Sequence, residues 1–201
     1  KSYTMLYLTR LLMKSIEFSS PTIIIITDRT DLDDQISETF INSKKFIGDE
    51  NVINVKNREH LRGNLFNIKS GGVFLTTIHK FTEDTKVLSK RDNIICISDE
   101  AHRTQINLEQ KISLKKNSLQ KSFGFAKHLH DSLPNATYVG FTGTPIDQTL
   151  DVFGKIVDSY TMKESVKDDI TVPLVYEGRA AKVFQDHAAI KKIESFYKQC
   201  A

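Results

Sequence analysis

The chain has 201 residues, 39% of them hydrophobic and 26% charged, an ordinary globular composition and a length that suits one α/β domain with some extra elements. Its net charge is only +3, so a nucleic-acid surface would have to be a local patch and not a global field. Two cysteines, Cys96 and Cys200, argue against a disulfide scaffold. No apolar run has the length of a membrane span and no signal-peptide pattern opens the chain, so the expected setting is reducing and cytoplasmic, with no membrane partner.

The first predicted element is a helix. After Lys1-Ser2, the apolar positions Met5, Leu8, Leu11 and Leu12 recur at helical spacing, and the breaker cluster Ser19-Ser20-Pro21 ends the segment. Thr22-Ile23-Ile24-Ile25-Ile26-Thr27 is β-branched throughout and predicts a strand. It runs into Asp28-Arg29, which by themselves read as a solvated turn. Thr30 or Asp31 can cap the helix that follows, which carries Leu32, Ile36, Phe40 and Ile41. A short strand at Asn51-Val52-Ile53-Asn54-Val55 and a polar helix starting at Arg58-Glu59-His60 come next. The turn Lys69-Ser70-Gly71-Gly72 then leads to a strand, Val73-Phe74-Leu75-Thr76-Thr77. Thr76, Thr77 and Lys80 place two hydroxyls and a cation at its end, a set that can bond phosphates and is also common at polar strand ends. His79 reads as a structural histidine.

Ile94-Ile95-Cys96-Ile97-Ser98 is short and apolar, a strand buried on both faces, with Cys96 acting as a small hydrophobe. Asp99-Glu100 follow at once. A buried parallel strand that ends in two acids sets them at the carboxyl edge of the sheet, where open α/β folds bind ligands. Successive strand residues point to opposite sides, so one acid can hold a metal ion while the other orients a water. Residues 106–121 hold Lys111, Lys115, Lys116 and Lys121 against the single acid Glu109. That run reads as a solvated loop or surface helix, with a DNA-backbone contact as the lesser alternative. A helix through Phe123, Phe125, Ala126, Leu129 and Leu133 halts at Pro134-Asn135. The strand Ala136-Thr137-Tyr138-Val139-Gly140-Phe141 then enters the hydroxyl-rich turn Thr142-Gly143-Thr144-Pro145, whose glycine permits a close backbone approach. Further on, residues 155–160 suggest one more short strand and residues 165–169 a short helix or turn. Residues 171–176 suggest an edge strand, because Pro173 cannot donate to a central ladder. Residues 179–201 are polar and helix-compatible and suit a connector.

Lys1-Ser2 at the head of a helix is what the end of a phosphate-binding loop, G-x-x-x-x-G-K-[ST], looks like without its glycines. In such a loop the ammonium reaches the β/γ-phosphates, the hydroxyl ligates Mg²⁺, and free helix N–H groups favour anions. Joined to a strand-borne Asp-Glu pair about a hundred residues later, it suggests a P-loop NTPase. The strand and glycine-rich loop that should precede the lysine are not among these residues, so the chain is expected to be a piece of a longer polypeptide or to have lost its N-terminal part.

The series Lys1-Ser2, Thr27-Asp28-Arg29, Thr76-Thr77, Asp99-Glu100-Ala101-His102 and Thr142-Gly143-Thr144 resembles the ordered motifs of the first RecA-like domain of a superfamily 2 helicase. Four longer strings resemble, more narrowly, the motor (R) subunit of type I restriction enzymes. They are Asp28-Arg29-Thr30-Asp31-Leu32-Asp33 with Gln35, Asp99-Glu100-Ala101-His102-Arg103-Thr104-Gln105, Gly140-Phe141-Thr142-Gly143-Thr144-Pro145-Ile146, and Asp169-Ile170-Thr171-Val172-Pro173-Leu174. The likeness covers nearly the whole chain. It departs from the family pattern in the missing glycines and in a lysine-rich stretch longer than the family commonly carries.

That resemblance implies a three-layer α/β, RecA-like P-loop NTPase domain over residues 1–178, with a mostly parallel central sheet lacking its N-terminal strand. Residues 179–201 would be a helical connector toward a second RecA-like domain. It implies ATP and Mg²⁺ as cofactors. Lys1 would contact the β/γ-phosphates, Ser2 with Asp99 would hold Mg²⁺, and Glu100 would polarise the attacking water. His102 would link the nucleotide to Thr142, Gly143 and Thr144, while Thr27, Asp28, Arg29, Thr76, Thr77 and Lys80 would lie toward the nucleic acid. Arginine fingers come from the second domain in such enzymes, so these residues alone are expected to be nearly inactive. The parent would pump double-stranded DNA, cut it with a separate nuclease domain, and assemble with methyltransferase and specificity subunits. Two alternatives stay open: another superfamily 2 enzyme (type III restriction, repair or RNA helicase), or a catalytically dead module that grips DNA or a partner.

Overall fold

Six consecutive β-branched residues make β1 (Thr22–Thr27) the strand around which the layers assemble. With side chains alternating across a pleated strand, Ile24 and Ile26 enter one apolar cluster and Ile23 and Ile25 the other. The computed structural model describes residues 1–28, 30–81, 86–102, 111–115, 118–122, 125–175 and 177. Arg29, the string Arg103-Thr104-Gln105 and the expected connector at 179–201 with Cys200 lie outside the described residues.

On both sides β1 finds parallel partners. β3 (Val73–Thr77) pairs with it on one flank and β4 (Ile94–Ser98) on the other, Thr27 standing opposite Thr77 and Ile26 opposite Ser98. Outside them, β2 (Val52–Asn54) lies beside β3, and β7 (Thr137–Gly140) lies beside β4. The order β2-β3-β1-β4-β7 is wholly parallel, as expected of strands buried on both faces and joined by helical crossovers. β1, β3 and β4 are buried along their whole length.

Helices close both faces. On one, α1 (Ser2–Lys14) buries Met5 and Leu6, α2 (Thr30–Asn42) buries Ile36 and Phe40, and α3 (Lys44–Ile47) buries Ile47 against Ile23, Ile25, Val73, Leu75, Ile95 and Ile97. On the other, α4 (Arg58–Asn67) contributes Leu61 and Leu65, and α5 (Phe125–Ser132) contributes Leu129 with Leu133 beyond it. The α4 start is set by Asn57, whose side chain accepts from the His60 N–H at 2.8 Å, an N-cap that satisfies one otherwise orphan donor. The result is the expected three-layer α/β architecture, with a sheet that is all parallel and not merely mostly so. The 3₁₀ turn Ile78–Lys80 follows β3 directly.

Four expectations need correction. Residues 106–121 were expected to be loop or surface helix, yet β5 (Lys111–Lys115) and β6 (Ser118–Ser122) form an antiparallel ribbon. Ile112 and Leu114, two positions apart, and Leu119, which pairs with Leu114, are the short period-two signal that the lysines mask. Residues 155–160 and 171–175 join no ladder among the described residues. Their apolar side chains Ile156, Val157, Val172, Leu174 and Val175 are exposed, so no buried face fixes a register. Conversely, α6 (Asp147–Phe153) follows the hydroxyl-rich turn where no helix was expected; Asp147 in its first turn and Gly154 after its end were the available signals. α7 (Met162–Lys167) matches the predicted short helix, and begins with a capping box in which Thr161 and Glu164 each bond the other's backbone N–H. The chain divides into two units, Lys1–Val157 and Asp158–Ala201.

Candidate functional site

At the carboxyl end of β4 the chain is gripped from both neighbouring strands. The Asp99 N–H donates to the Ile26 carbonyl of β1 at 2.8 Å, and the Phe141 N–H beyond β7 donates to the Ser98 carbonyl at 2.8 Å. The Ala101 N–H then returns a bond to the Phe141 carbonyl at 3.0 Å. Between these fixed points Glu100 takes a left-handed backbone conformation, φ +46°, and its N–H donates to Asp99 Oδ1 at 2.9 Å. Such a conformation is uncommon for a residue with a Cβ and persists only where its surroundings hold it. Here two ladders hold it, and the turn projects both acids at one edge. Asp99 is buried and Glu100 half-buried.

Gly140 makes this turn possible. A Cβ placed there would lie 2.9 Å from Phe153 Cγ in α6 and 3.0 Å from the Ala101 Cβ, so the absent side chain is what lets the acid turn pack onto β7. The sequence points to Gly143 for the close approach, and to Gly140 and Phe141 only as members of the Gly140–Ile146 string. Gly143 does approach the site: a Cβ on it would stand 4.0 Å from Lys1 Nζ.

Lys1 stands at the N-cap of α1, whose first turn is closed by the Met5 N–H bonding the Lys1 carbonyl at 2.9 Å. From there its ammonium crosses to the acid turn. It pairs with Glu100 Oε1 and lies 3.9 Å from Asp99 Oδ1. A lysine and two acids separated by nearly a hundred positions therefore meet at one partly exposed point beside a helix N-terminus, whose unpaired N–H groups favour anions. Ser2 is carried half-buried in that same first turn.

From the acids the network continues into the turn after β7. His102 Nδ1 lies 2.7 Å from Thr142 Oγ1 and 3.5 Å from Glu100 Oε2, and the Thr144 N–H donates to Thr142 Oγ1 at 3.1 Å. A proton on Nδ1 would face the hydroxyl and the carboxylate together. Lys1, Asp99, Glu100, His102, Thr142, Gly143 and Thr144 thus form one constellation.

The six residues expected toward nucleic acid fall differently. Thr27, Asp28, Thr76 and Thr77 sit along the same carboxyl edge, but all four are buried. Thr27 Oγ1 donates to the Thr76 carbonyl at 3.4 Å, and the Lys80 ammonium donates to the Val55 carbonyl at 2.5 Å. Arg29 is outside the described residues.

The SWI2/SNF2 ATPase family profile matches residues 1–200. The chain belongs to the SWI2/SNF2 ATPase family. Nucleotide use follows from that membership, and the ammonium, acid pair and helix N-terminus gather where an open parallel sheet binds its ligand. Among curated proteins, the chain is 44% identical over 88% of its length to the Type I restriction enzyme HindI endonuclease subunit of Haemophilus influenzae, covering 17% of that protein. It is 31% identical over 91% of its length to the putative type I restriction enzyme MjaIXP endonuclease subunit of Methanocaldococcus jannaschii, covering 16% of that one. A Staphylococcus saprophyticus counterpart, the SsaAORF53P endonuclease subunit, is 29% identical over 73% of the chain. The chain thus spans about one sixth of the length of the first relatives it matches. These likenesses support the expected reading as the helicase-like domain of an R subunit. No solved structure matches. Among the described residues, no helix is long and apolar enough to cross a membrane.

Proposed function

We propose that this domain is the ATP-hydrolysing half-motor of a type I restriction endonuclease subunit, working in a cytoplasmic polypeptide that moves double-stranded DNA before a separate nuclease domain cuts it. The observation that carries the reading is the meeting of Lys1 with Asp99 and Glu100 at the carboxyl edge. The relatives' names supply the restriction context.

In this reading Lys1 exchanges its carboxylate partner for the β/γ-phosphates of ATP, which leaves Glu100 free to polarise the attacking water. Among the described residues no group of three His, Cys, Asp or Glu side chains could cage a metal. The donor set of one acid and one hydroxyl, Asp99 and Ser2, instead fits Mg²⁺, which is usually bound by one or two carboxylates together with substrate phosphates. When bound, that ion neutralises charge on the triphosphate. His102 passes the change at Glu100 to Thr142, Gly143 and Thr144, because one ring nitrogen faces both the carboxylate and the hydroxyl. Thr27, Asp28, Arg29, Thr76, Thr77 and Lys80 remain the proposed DNA-side set. Since the hydroxyls of Thr27 and Thr76 point inward, the strand-end backbone and its loops would make the contact.

Residues 179–201 would lead, as a helical connector after residues 1–178, to a second RecA-like domain that supplies arginine fingers. Partners would be double-stranded DNA and the methyltransferase and specificity subunits. The chain alone should then be nearly inactive, and robust DNA-stimulated hydrolysis by these residues by themselves would contradict the half-site reading. The deciding experiment is Glu100→Gln in the native polypeptide. ATP should still bind while turnover falls by about 10²–10⁴-fold, the usual worth of a positioned acid–base group. Unchanged turnover would remove Glu100 from water activation.

A further inference from the structure

Helix α1 is apolar on its outer side as well as its inner one. Met5 and Leu6 enter the apolar cluster beneath the helix, yet Tyr3, Tyr7 and Leu11 are 70, 57 and 68% exposed. Spaced four apart, these three lie on one face, in a line of about 12 Å along the axis. A solvent-facing helix face is ordinarily polar. Apolar side chains scattered singly over a surface need no explanation, whereas a contiguous patch marks a contact site.

Phe46 of α3 widens the strip and fixes it. The Tyr7 ring meets it edge-on, with centroids 5.3 Å apart and planes at 88°. The Arg10 guanidinium carbon stands 4.3 Å from the centre of the same ring, and the group donates to the Phe46 carbonyl. One aromatic thus holds a tyrosine and an arginine in place, so a partner that lands on them has less side-chain freedom to freeze. Lys14 continues along α1, and its Cε comes within 3.7 Å of the Cβ position of Gly48 at the end of α3. Lys44 and Lys45 precede Phe46, so α1 and α3 together carry four cations and no acid. Asp49, the first acid after α3, is occupied by the N–H groups of Asn51 and Gly72, each at 2.7 Å.

That pattern sorts the occupants. A second copy of the chain packed about a two-fold axis would set these cations against themselves. Duplex DNA would satisfy the cations but leave the tyrosine–leucine line facing phosphates. A helix with an apolar stripe and acidic flanks answers both the line and its rim, with anchors one turn apart that match a two-turn strip. Relatives of this chain are about six times its length, so a subunit of that size can supply the helix intramolecularly, at high effective concentration.

We propose that the outer face of α1, with Tyr3, Tyr7 and Leu11 rimmed by Arg10 and Lys14, is the docking site of an acid-flanked amphipathic helix from another part of the same polypeptide. Lys1 heads α1, so the docked helix braces the element that carries the ammonium of the candidate site. The proposal rests on the reading of these residues as one part of a longer subunit, and adds to it the surface through which that part is held.

The test is hydroxyl-radical footprinting of the native polypeptide, read residue by residue by mass spectrometry against the same polypeptide unfolded in urea. Exposures of 57–70% would by themselves slow oxidation of Tyr3, Tyr7 and Leu11 less than twofold; docking should slow it several-fold beyond that. Carbodiimide coupling, which makes an amide only between a touching amine and carboxylate, should join Lys14 to an acid outside residues 1–201 of the same chain. Leu11→Asp with Lys14→Glu, both at exposed positions, should return Tyr7 to the rate its own exposure predicts, while Lys14→Arg should leave it protected. Tyrosines oxidised at that rate in the unaltered polypeptide overturn the proposal. So do cross-links to a second copy or a separate subunit, and protection that appears only with duplex DNA. The footprint and the cross-link are read without ATP, so their failure leaves the motor reading to be judged by the turnover of Glu100→Gln.

Discussion

Replacing Gly140 with alanine should damage both stability and activity, and the structure gives the size of the effect. Gly140 is absent from the positive-φ positions, so its backbone suits any L-residue. On conformational grounds alone, Gly→Ala would be neutral or would stabilise by about 0.4–1 kcal/mol through the unfolded chain. Space opposes that. The new methyl would sit 2.9 Å from Phe153 Cγ, 3.1 Å from Phe153 Cδ1 and 3.0 Å from the Ala101 Cβ, all well inside normal carbon contact. Cγ is the near end of the phenylalanine ring and Ala101 is pinned by its bond to Phe141, so neither neighbour can swing aside cheaply. Overpacking of this kind costs about 1–3 kcal/mol and should dominate, giving a net loss of about 1–2 kcal/mol in urea unfolding of the chain. Pushing Ala101 outward also separates His102 from Thr142, so ATP turnover of the native polypeptide should fall more than nucleotide affinity does. Adding Phe153→Leu should recover part of the stability. A Gly140→Ala variant as stable as the parent would refute the packing argument.

Thr142→Val keeps the side-chain volume but removes the hydroxyl shared by His102 and the Thr144 N–H. It should cost about 1 kcal/mol in stability and abolish most DNA stimulation of ATP hydrolysis while leaving basal nucleotide affinity in place; retained stimulation would detach the hydroxyl from coupling. Arg91 holds the amino edge together, donating to Asn93 Oδ1, the Ile68 carbonyl and Thr22 Oγ1 at 2.8, 2.9 and 2.6 Å. Arg91→Lys cannot reproduce that fork and should lower the unfolding free energy by about 1.5–3 kcal/mol with little effect on the site at the other edge. Burial holds His130 below the ordinary imidazole pKa, with Asp131 opposing the shift. Between the unfolded value, about 6.5, and the lowered folded one, the unfolded chain binds the proton first, so this group's contribution is intact above about pH 6.5 and lost as pH falls. His130→Phe, which can keep a stack on Tyr138, should make the urea midpoint less sensitive to acid in that range. An unchanged pH slope would show that another group is responsible.

Local chemistry alone determined much of this protein. The β-branched run of β1, the apolar run of β4 and the helical spacing of α1 each carry their structure in adjacent residues, because side-chain branching and periodicity act over a few positions. The acid pair, the lysine at a helix head and the Thr142–Gly143–Thr144 turn were readable for the same reason, each being a short string with a recognisable job. The lysine-rich segment misled because charge hid the period-two pattern of a ribbon, and the runs at 155–160 and 171–175 misled because apolar residues make a strand only when something covers them. The tertiary structure decided what no short window contains. The left-handed Glu100 is held by β1 and β7 together, Gly140 is required by α6 and Ala101, and the hydroxyls of Thr27 and Thr76 turn inward. Each depends on which distant segment lies alongside, and that is set by the packing of two apolar faces at once and not by the residues on either side in the chain.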